Sequence, residues 1–196
     1  MAETMIAWTR QVPQVWDEIQ STGGYRVKEE YVRAKNMEIS DYYLKLYRWL
    51  THGCKAHGTK VPDGADLPIW LAMTEAQRLG RAPDTISLTL EVPTDSLFLV
   101  DYDQWGYIVN HWYVPKDEAD DDKHNAELKS MGIVNEAALI TTEKGNYFPL
   151  MKQKIIRSWD RLFEGEPDMG DLDKYVGVIW EIKPEWVKEV EHYDSV

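Results

Sequence analysis

The chain contains one cysteine, Cys54, in 196 residues. A lone thiol cannot close an intrachain disulfide, so the fold is not stapled, and the composition fits a reducing compartment. Long apolar runs are also lacking: none approaches the ~20 residues that span a bilayer as a helix. The first residues, MAETMIAWTRQ, contain neither a basic n-region nor an apolar h-region, and a cytoplasmic location is expected. Positive charge is the third shortage. Lys and Arg number 22 against 34 Asp and Glu, a formal net charge of −12. That balance argues against a surface that wraps nucleic acid through its phosphates, and leaves room for a local basic pocket. G-x-G-x-x-G, P-loop, G-x-S-x-G and H-E-x-x-H motifs are absent, so the common nucleotide, esterase and metalloprotease readings have no local support.

What the sequence does have is polar aromatic rings. Nine Trp and eleven Tyr accompany three Phe, and rings with a polar handle suit the rim of a core or a half-wet cleft. A chain of this length is expected to form one domain that buries about 65–75% of its unfolded surface.

Met5 to Gln11 reads as a strand, followed by a helix opened by Pro13 at its first position and stopped by Gly23 and Gly24. Ser40 or Asp41 caps a second helix to about Leu50, and a loop runs from Gly53 to Leu67. Leu67 to Ala72 is a buried strand, and the T-x-x-Q pair Thr74 and Gln77 predicts a capped helix over Glu75 to Leu79. The alternation of Thr85, Ser87, Thr89 and Glu91 with Ile86, Leu88, Leu90 and Val92 is the cleanest strand signal, ended by Pro93. Leu97 to Val100 follows as a short strand, and Asp101 or Asp103 caps the helix that carries Trp105. The acidic window Lys116 to Asp122 is a solvated loop or helix start, and the helix ends at Gly132. Lys152 to Phe163 predicts an amphipathic helix with Ile155, Ile156, Trp159, Leu162 and Phe163 inward. Tyr175 to Ile182 is the last strong strand, and Val187 to Tyr193 an edge strand. With no repeat and no dividing linker, the order is α+β, helices interrupting a partly antiparallel sheet.

His52, Cys54 and His57 place three metal-type side chains close together. A paired C-x-x-C or a downstream His pair is missing, so no metal is expected there. Nothing in the sequence sets a base beside Cys54, which leaves it without the activation a nucleophile needs.

The stretch LFLVDYDQWGYIVNHWYVP, Leu97 to Pro115, after ISLTLEVP, carries the most specific pattern. With Trp70, Glu91-Val92-Pro93, Asp101, Trp105, Asn110, Ser158-Trp159, Phe163 and the late WEIKPEWV, it resembles a bacterial and phage family, domain of unknown function 3841. That resemblance brings no reaction with it. Within the pattern, Asp101 and Asp103 beside Trp105 and Asn110 could bind a substrate hydroxyl or amine, or cap a helix and bond an indole N–H.

The order of WTRQ at Trp8 to Gln11, PIWLAMTEAQRLGR at Pro68 to Arg81 and TISLTLEVP more distantly resembles the ADP-ribosyltransferase superfamily. The resemblance implies a split sheet with flanking helices around NAD. It also implies that Thr9 or Arg10 holds the first-strand polar position, Trp70 and Thr74 belong to the middle strand and its cap, and Glu181 is the late-strand carboxylate. In such a site an Arg grips pyrophosphate, an aromatic ring stacks on nicotinamide and a carboxylate stabilises the oxocarbenium-like ribose. WLAMT lacks the serine-rich run or histidine of many relatives, and Glu181 lies farther along its strand than their pattern has it. The expected partner is a small-molecule nucleotide, with ADP-ribose passed to an unidentified acceptor. The alternative from another class is a non-catalytic interaction or regulatory protein on the same fold.

Overall fold

A computed structural model describes residues 3–193. They form an α+β structure around a six-stranded sheet in the order β4-β5-β2-β1-β3-β6. The strands are β1 (Thr4–Gln11), β2 (Ile69–Ala72), β3 (Thr85–Pro93), β4 (Phe98–Asp101), β5 (Tyr175–Ile179) and β6 (Val187–Tyr193). The pairs β1–β2, β1–β3, β2–β5 and β3–β6 are antiparallel. β1 pairs with β3 along its whole length, from Thr4↔Pro93 to Gln11↔Ile86, but meets β2 at one register pair, Trp8↔Ala72.

The chain divides into two compact units, one ending at Val100 and resuming at Pro167, the other Asp101–Glu166. In the first, period-two alternation sends Ile86, Leu88, Leu90 and Val92 to one face with Ala7, Ile69, Leu71 and Ile179. Val15 and Ile19 of α1 (Pro13–Thr22) close over that face, each fully buried Leu or Ile contributing about 1.5–3 kcal/mol. Gly23 then takes a left-handed φ of 84° and ends α1, a conformation that glycine reaches without steric cost. A second helix, α2 (Glu29–Asn36), and the long α3 (Ser40–Ala56) bury Val32 and Leu44 around Leu67.

The Asp101–Glu166 unit is helical: α4 (Tyr102–Val109), α5 (Glu118–Ser130), α6 (Ala137–Thr141) and α7 (Pro149–Ser158), the last running into a 3-10 segment, Trp159–Phe163. Ile108, Val114, Leu139, Ile155 and Leu162 are among its buried side chains. Asp117 caps α5, its carboxylate accepting from the Asp120 amide at 2.8 Å, so the acidic window is a helix start. No helix among the described residues is long and apolar enough to cross a membrane.

Several local expectations need correction. α3 does not stop near Leu50, because Thr51 and Cys54 extend its buried stripe to Ala56 and outweigh Gly53. Neither Ser40 nor Asp41 caps it. A 3-10 turn, Met37–Ile39, feeds the chain straight in, and Asp41 pairs instead with Arg33 at 2.7 Å. Glu75–Gln77 is a single 3-10 turn. There the Gln77 side chain accepts from the Met73 amide at 2.8 Å and donates to the Tyr175 carbonyl at 2.8 Å, tying the turn to β5. Ile156 is 37% exposed, because the buried stripe runs through Ile155, Trp159 and Leu162 at helical spacing and Ile156 lies one position round the helix from it. β5 stops at Ile179, with Trp180 in a bend, so Glu181 lies outside the strand.

Candidate functional site

Residues paired across an antiparallel ladder project to the same face. Trp8 is opposite Thr89 and Ala72, Arg10 opposite Ser87, Ser87 opposite Glu191, and Trp70 opposite Val178. Trp8, Arg10, Trp70, Ser87 and Glu191 therefore share the face opposite the aliphatic core. Strand parity decides between the two first-strand candidates. Thr9 points to the core side, buried, its hydroxyl accepting from the Gln11 side-chain Nε2 at 2.8 Å. Arg10 lies on the other face, where Nη1 donates to the Gly80 carbonyl at 2.7 Å.

Sequence reasoning missed Arg78 and Glu191, which organise this face. Arg78 Nη2 donates to Glu191 Oε1 at 2.5 Å and to Ser87 Oγ at 3.4 Å, and its guanidinium sits 5.7 Å from the Trp8 ring centroid. The Arg78 bond, with a second from the Tyr193 hydroxyl, holds the Glu191 carboxyl below the usual range. The alternation of Glu189 and Glu191 with Val190 in β6 was the one available signal. Trp70 packs on Tyr47 of α3, with ring centroids 5.9 Å apart. Burial raises the Tyr47 hydroxyl pKa, opposed by a hydrogen bond with Trp70.

Glu181 follows β5 and is 17% exposed, held by Arg26 at 3.0 Å and Lys183 at 3.2 Å. In the antiparallel order β1-β2-β5, the C-terminal end of β1, the N-terminal end of β2 and the C-terminal end of β5 coincide. Arg10, Trp70 and Glu181 thus lie toward one end of three neighbouring strands. Thr74 lies beyond the other end of β2, donating to Asp173 Oδ1 at 2.5 Å.

The remaining candidates are strung along α4. Asp101 is its N-cap, the carboxylate accepting from the Gln104 amide at 2.9 Å. Asp103 is in the first turn and Trp105 mid-helix, while Asn110 at the C-terminal end donates to the Gly106 carbonyl at 2.8 Å. Asp101 and Asn110 are separated by ~13 Å at the rise of an α-helix, so the four do not form one cluster.

The same unit holds a polar network that sequence reasoning did not identify. His124 is buried; its Nε2 meets Glu136 Oε2 at 2.8 Å and its ring stacks on Tyr113 at 4.0 Å. The Tyr113 hydroxyl donates to Asp120 Oδ2 at 2.9 Å and accepts from Arg161 Nη2 at 3.0 Å. The Lys116 amide, ahead of Tyr113 and Arg161, holds the Asp120 carboxyl below its usual range. These partners come from separate segments of low periodicity, and nothing in the linear pattern joins them.

His52 and His57 are exposed while Cys54, on the same helix, is fully buried, and burial pushes its thiol pKa upward. The three do not converge, and no group of three or more His, Cys, Asp or Glu side chains among the described residues is arranged to hold a metal. No curated protein and no solved structure matches the chain. The family described as Domain of unknown function (DUF3841) matches residues 6–188, nearly the whole length, and the chain belongs to that family.

Proposed function

We propose that the protein binds NAD on an ADP-ribosyltransferase-like sheet and transfers ADP-ribose to an acceptor. The observation that carries this reading is that β1, β2 and β5 are consecutive in the sheet and bear Arg10, Trp70 and the approach to Glu181 toward one end. The single register pair between β1 and β2 supports it as well, since strands that barely pair can part around a ligand. Arg10 spends one N–H on Gly80 and keeps others for a pyrophosphate. The half-buried Trp70 offers an indole for nicotinamide.

In the proposed reaction the bond between ribose C1′ and the nicotinamide nitrogen breaks and its electron pair leaves with nicotinamide. Glu181 stabilises the cationic ribose, the acceptor forms the new bond to C1′, and the acceptor's proton passes to solvent. Calorimetric titration with NAD is the test. Saturable binding by the natural chain, with Glu181→Gln sparing binding and abolishing nicotinamide release, supports the reading. Silence up to millimolar NAD removes it.

One observation favours the second reading, a non-catalytic interaction or regulatory protein on the same fold. Glu181 is already engaged by two cations, Arg26 and Lys183. On that reading NAD binding is absent and Glu181 only closes the sheet end.

A further inference from the structure

A cleft of about 380 Å³ opens in the Asp101–Glu166 unit, lined by Tyr113, Gln153, Lys154, Arg157, Ser158 and Arg161 among others. Its charge runs against that of the molecule. The chain carries −12 overall, yet the stretch KQKIIRSWDR from Lys152 holds four cations and one acid. The spacing of Lys154, Arg157 and Arg161 sets three of those cations on the cleft wall while Ile155, Trp159 and Leu162 are buried.

Two of the cations are partly committed. Lys154 pairs with Glu127 at 2.6 Å, and Arg161 with Asp120 at 3.0 Å, besides donating to the Tyr113 hydroxyl and the Val114 carbonyl. Arg157 is exposed and has no acidic partner within ion-pair distance among the described residues. Ser158 is a finished wall, since its hydroxyl donates to the Ile155 carbonyl at 2.6 Å and accepts from the Val114 amide at 2.9 Å. The Tyr113 ring stacks on His124, with Lys154 at 5.0 Å and Arg161 at 4.9 Å from its centroid. It is therefore not an open platform for a nucleobase.

What remains is a surplus of donors: the whole Arg157 guanidinium, the Gln153 amide and the unspent N–H groups of Lys154 and Arg161. Such a lining calls for an anionic ligand with several acceptor oxygens: Glu127 and Asp120 offset the charges of Lys154 and Arg161, so Arg157 supplies the uncompensated charge and the others supply N–H donors. A planar carboxylate offers two oxygens, whereas a phosphate monoester offers three terminal oxygens around a tetrahedral centre, which suits cations arriving from several directions. The volume exceeds that of phosphate alone and accommodates the body of a small ester. We propose that this cleft binds the phosphate group of a small phosphorylated molecule, with Arg157 as the principal grip and Lys154 and Arg161 as flanking donors. The site is independent of the NAD reading and uses none of its residues.

The test titrates inorganic phosphate and glycerol 3-phosphate into the intact chain by calorimetry. Saturable one-to-one binding of both is expected, weakening as salt rises. Arg157→Gln should weaken it by about tenfold or more, as loss of a charge-assisted contact does, with an unchanged melting temperature because Arg157 is exposed. Lys152→Gln, which removes a nearby charge that does not line the cleft, should leave affinity within about twofold, as expected of a water-screened charge that makes no contact with the ligand. Absence of saturation, binding of phosphate but not the ester, equal binding by Arg157→Gln, or an equal loss from Lys152→Gln would overturn the proposal.

Discussion

Arg26 donates to Glu181 Oε2 at 3.0 Å and also to the Asp63 carbonyl at 3.1 Å. One guanidinium thus ties the segment after β5 to the turn before β2. Its side chain is 48% exposed, so the pair is screened by water, and Arg26→Gln is expected to cost no more than about 1 kcal/mol in urea titration. Glu181→Gln should be similarly mild, because the two cations it leaves behind can both reach solvent. A loss of nicotinamide release in that variant would then report chemistry rather than unfolding.

Asp101→Ala removes the N-cap of α4 and is expected to lower stability by about 0.5–2 kcal/mol, with Asp103→Ala close to neutral. Equilibrium denaturation of the two variants measures the difference. A larger loss from Asp103→Ala would assign the cap to the wrong residue.

Gly177 sits in β5 where an added Cβ would lie 2.5 Å from Met73 Sδ, 2.9 Å from Leu97 Cδ1 and 3.3 Å from Leu71 Cβ. Met73, Leu97 and Leu71 are all buried, so Gly177→Ala should overpack the core and destabilise by about 1–3 kcal/mol. Thermal melts against Gly106→Ala, where nothing lies within 4 Å of the added carbon, separate crowding from any general effect of replacing glycine.

Stability should fall at both ends of the pH scale. Asp120, Glu127 and Glu191 have carboxyl pKa values below the usual range, held by the Lys116 amide, by Lys154 and by Arg78 respectively. The unfolded chain takes up these protons first, so their contribution is complete above about pH 5 and is lost as pH falls through the folded values. Tyr25 acts in the opposite sense. Burial, with the charges of Tyr31 and Glu18, pushes its hydroxyl to about 12. Its contribution is complete below about pH 10, the usual tyrosine value, and is lost as pH rises through the folded value. Urea midpoints that stay flat from pH 3 to 7 or from pH 9 to 12 would contradict this.

Cys54 is fully buried. A thiol reagent such as Ellman's reagent should leave it unmodified in the native protein and label it stoichiometrically in denaturant. Rapid native labelling would show that the helix end opens. Elemental analysis of the purified protein is expected to find no stoichiometric zinc.

The sequence alone determined the elements whose periodicity is strong. The alternating run in β3, the proline and glycine that bracket α1, and the acid that caps α4 are local devices, each acting over a few residues. α2 and α6 were not legible, because each is short and buries a single side chain, Val32 or Leu139, which gives no repeating stripe. Tertiary packing also decided how far α3 runs, since Thr51 and Cys54 gain from burial what glycine loses in helix propensity.

The candidate sites divide the same way. Sequence could place Thr9 and Arg10 side by side, but only pairing with β3 fixed which of them faces the core. Arg78 and Glu191 are 113 positions apart, and Tyr113 and Arg161 are 48 apart. No linear pattern links partners at such separations. Their proximity follows from sheet order and helix packing, which are set by burial of apolar faces across the whole chain and not by the polar residues that burial brings together.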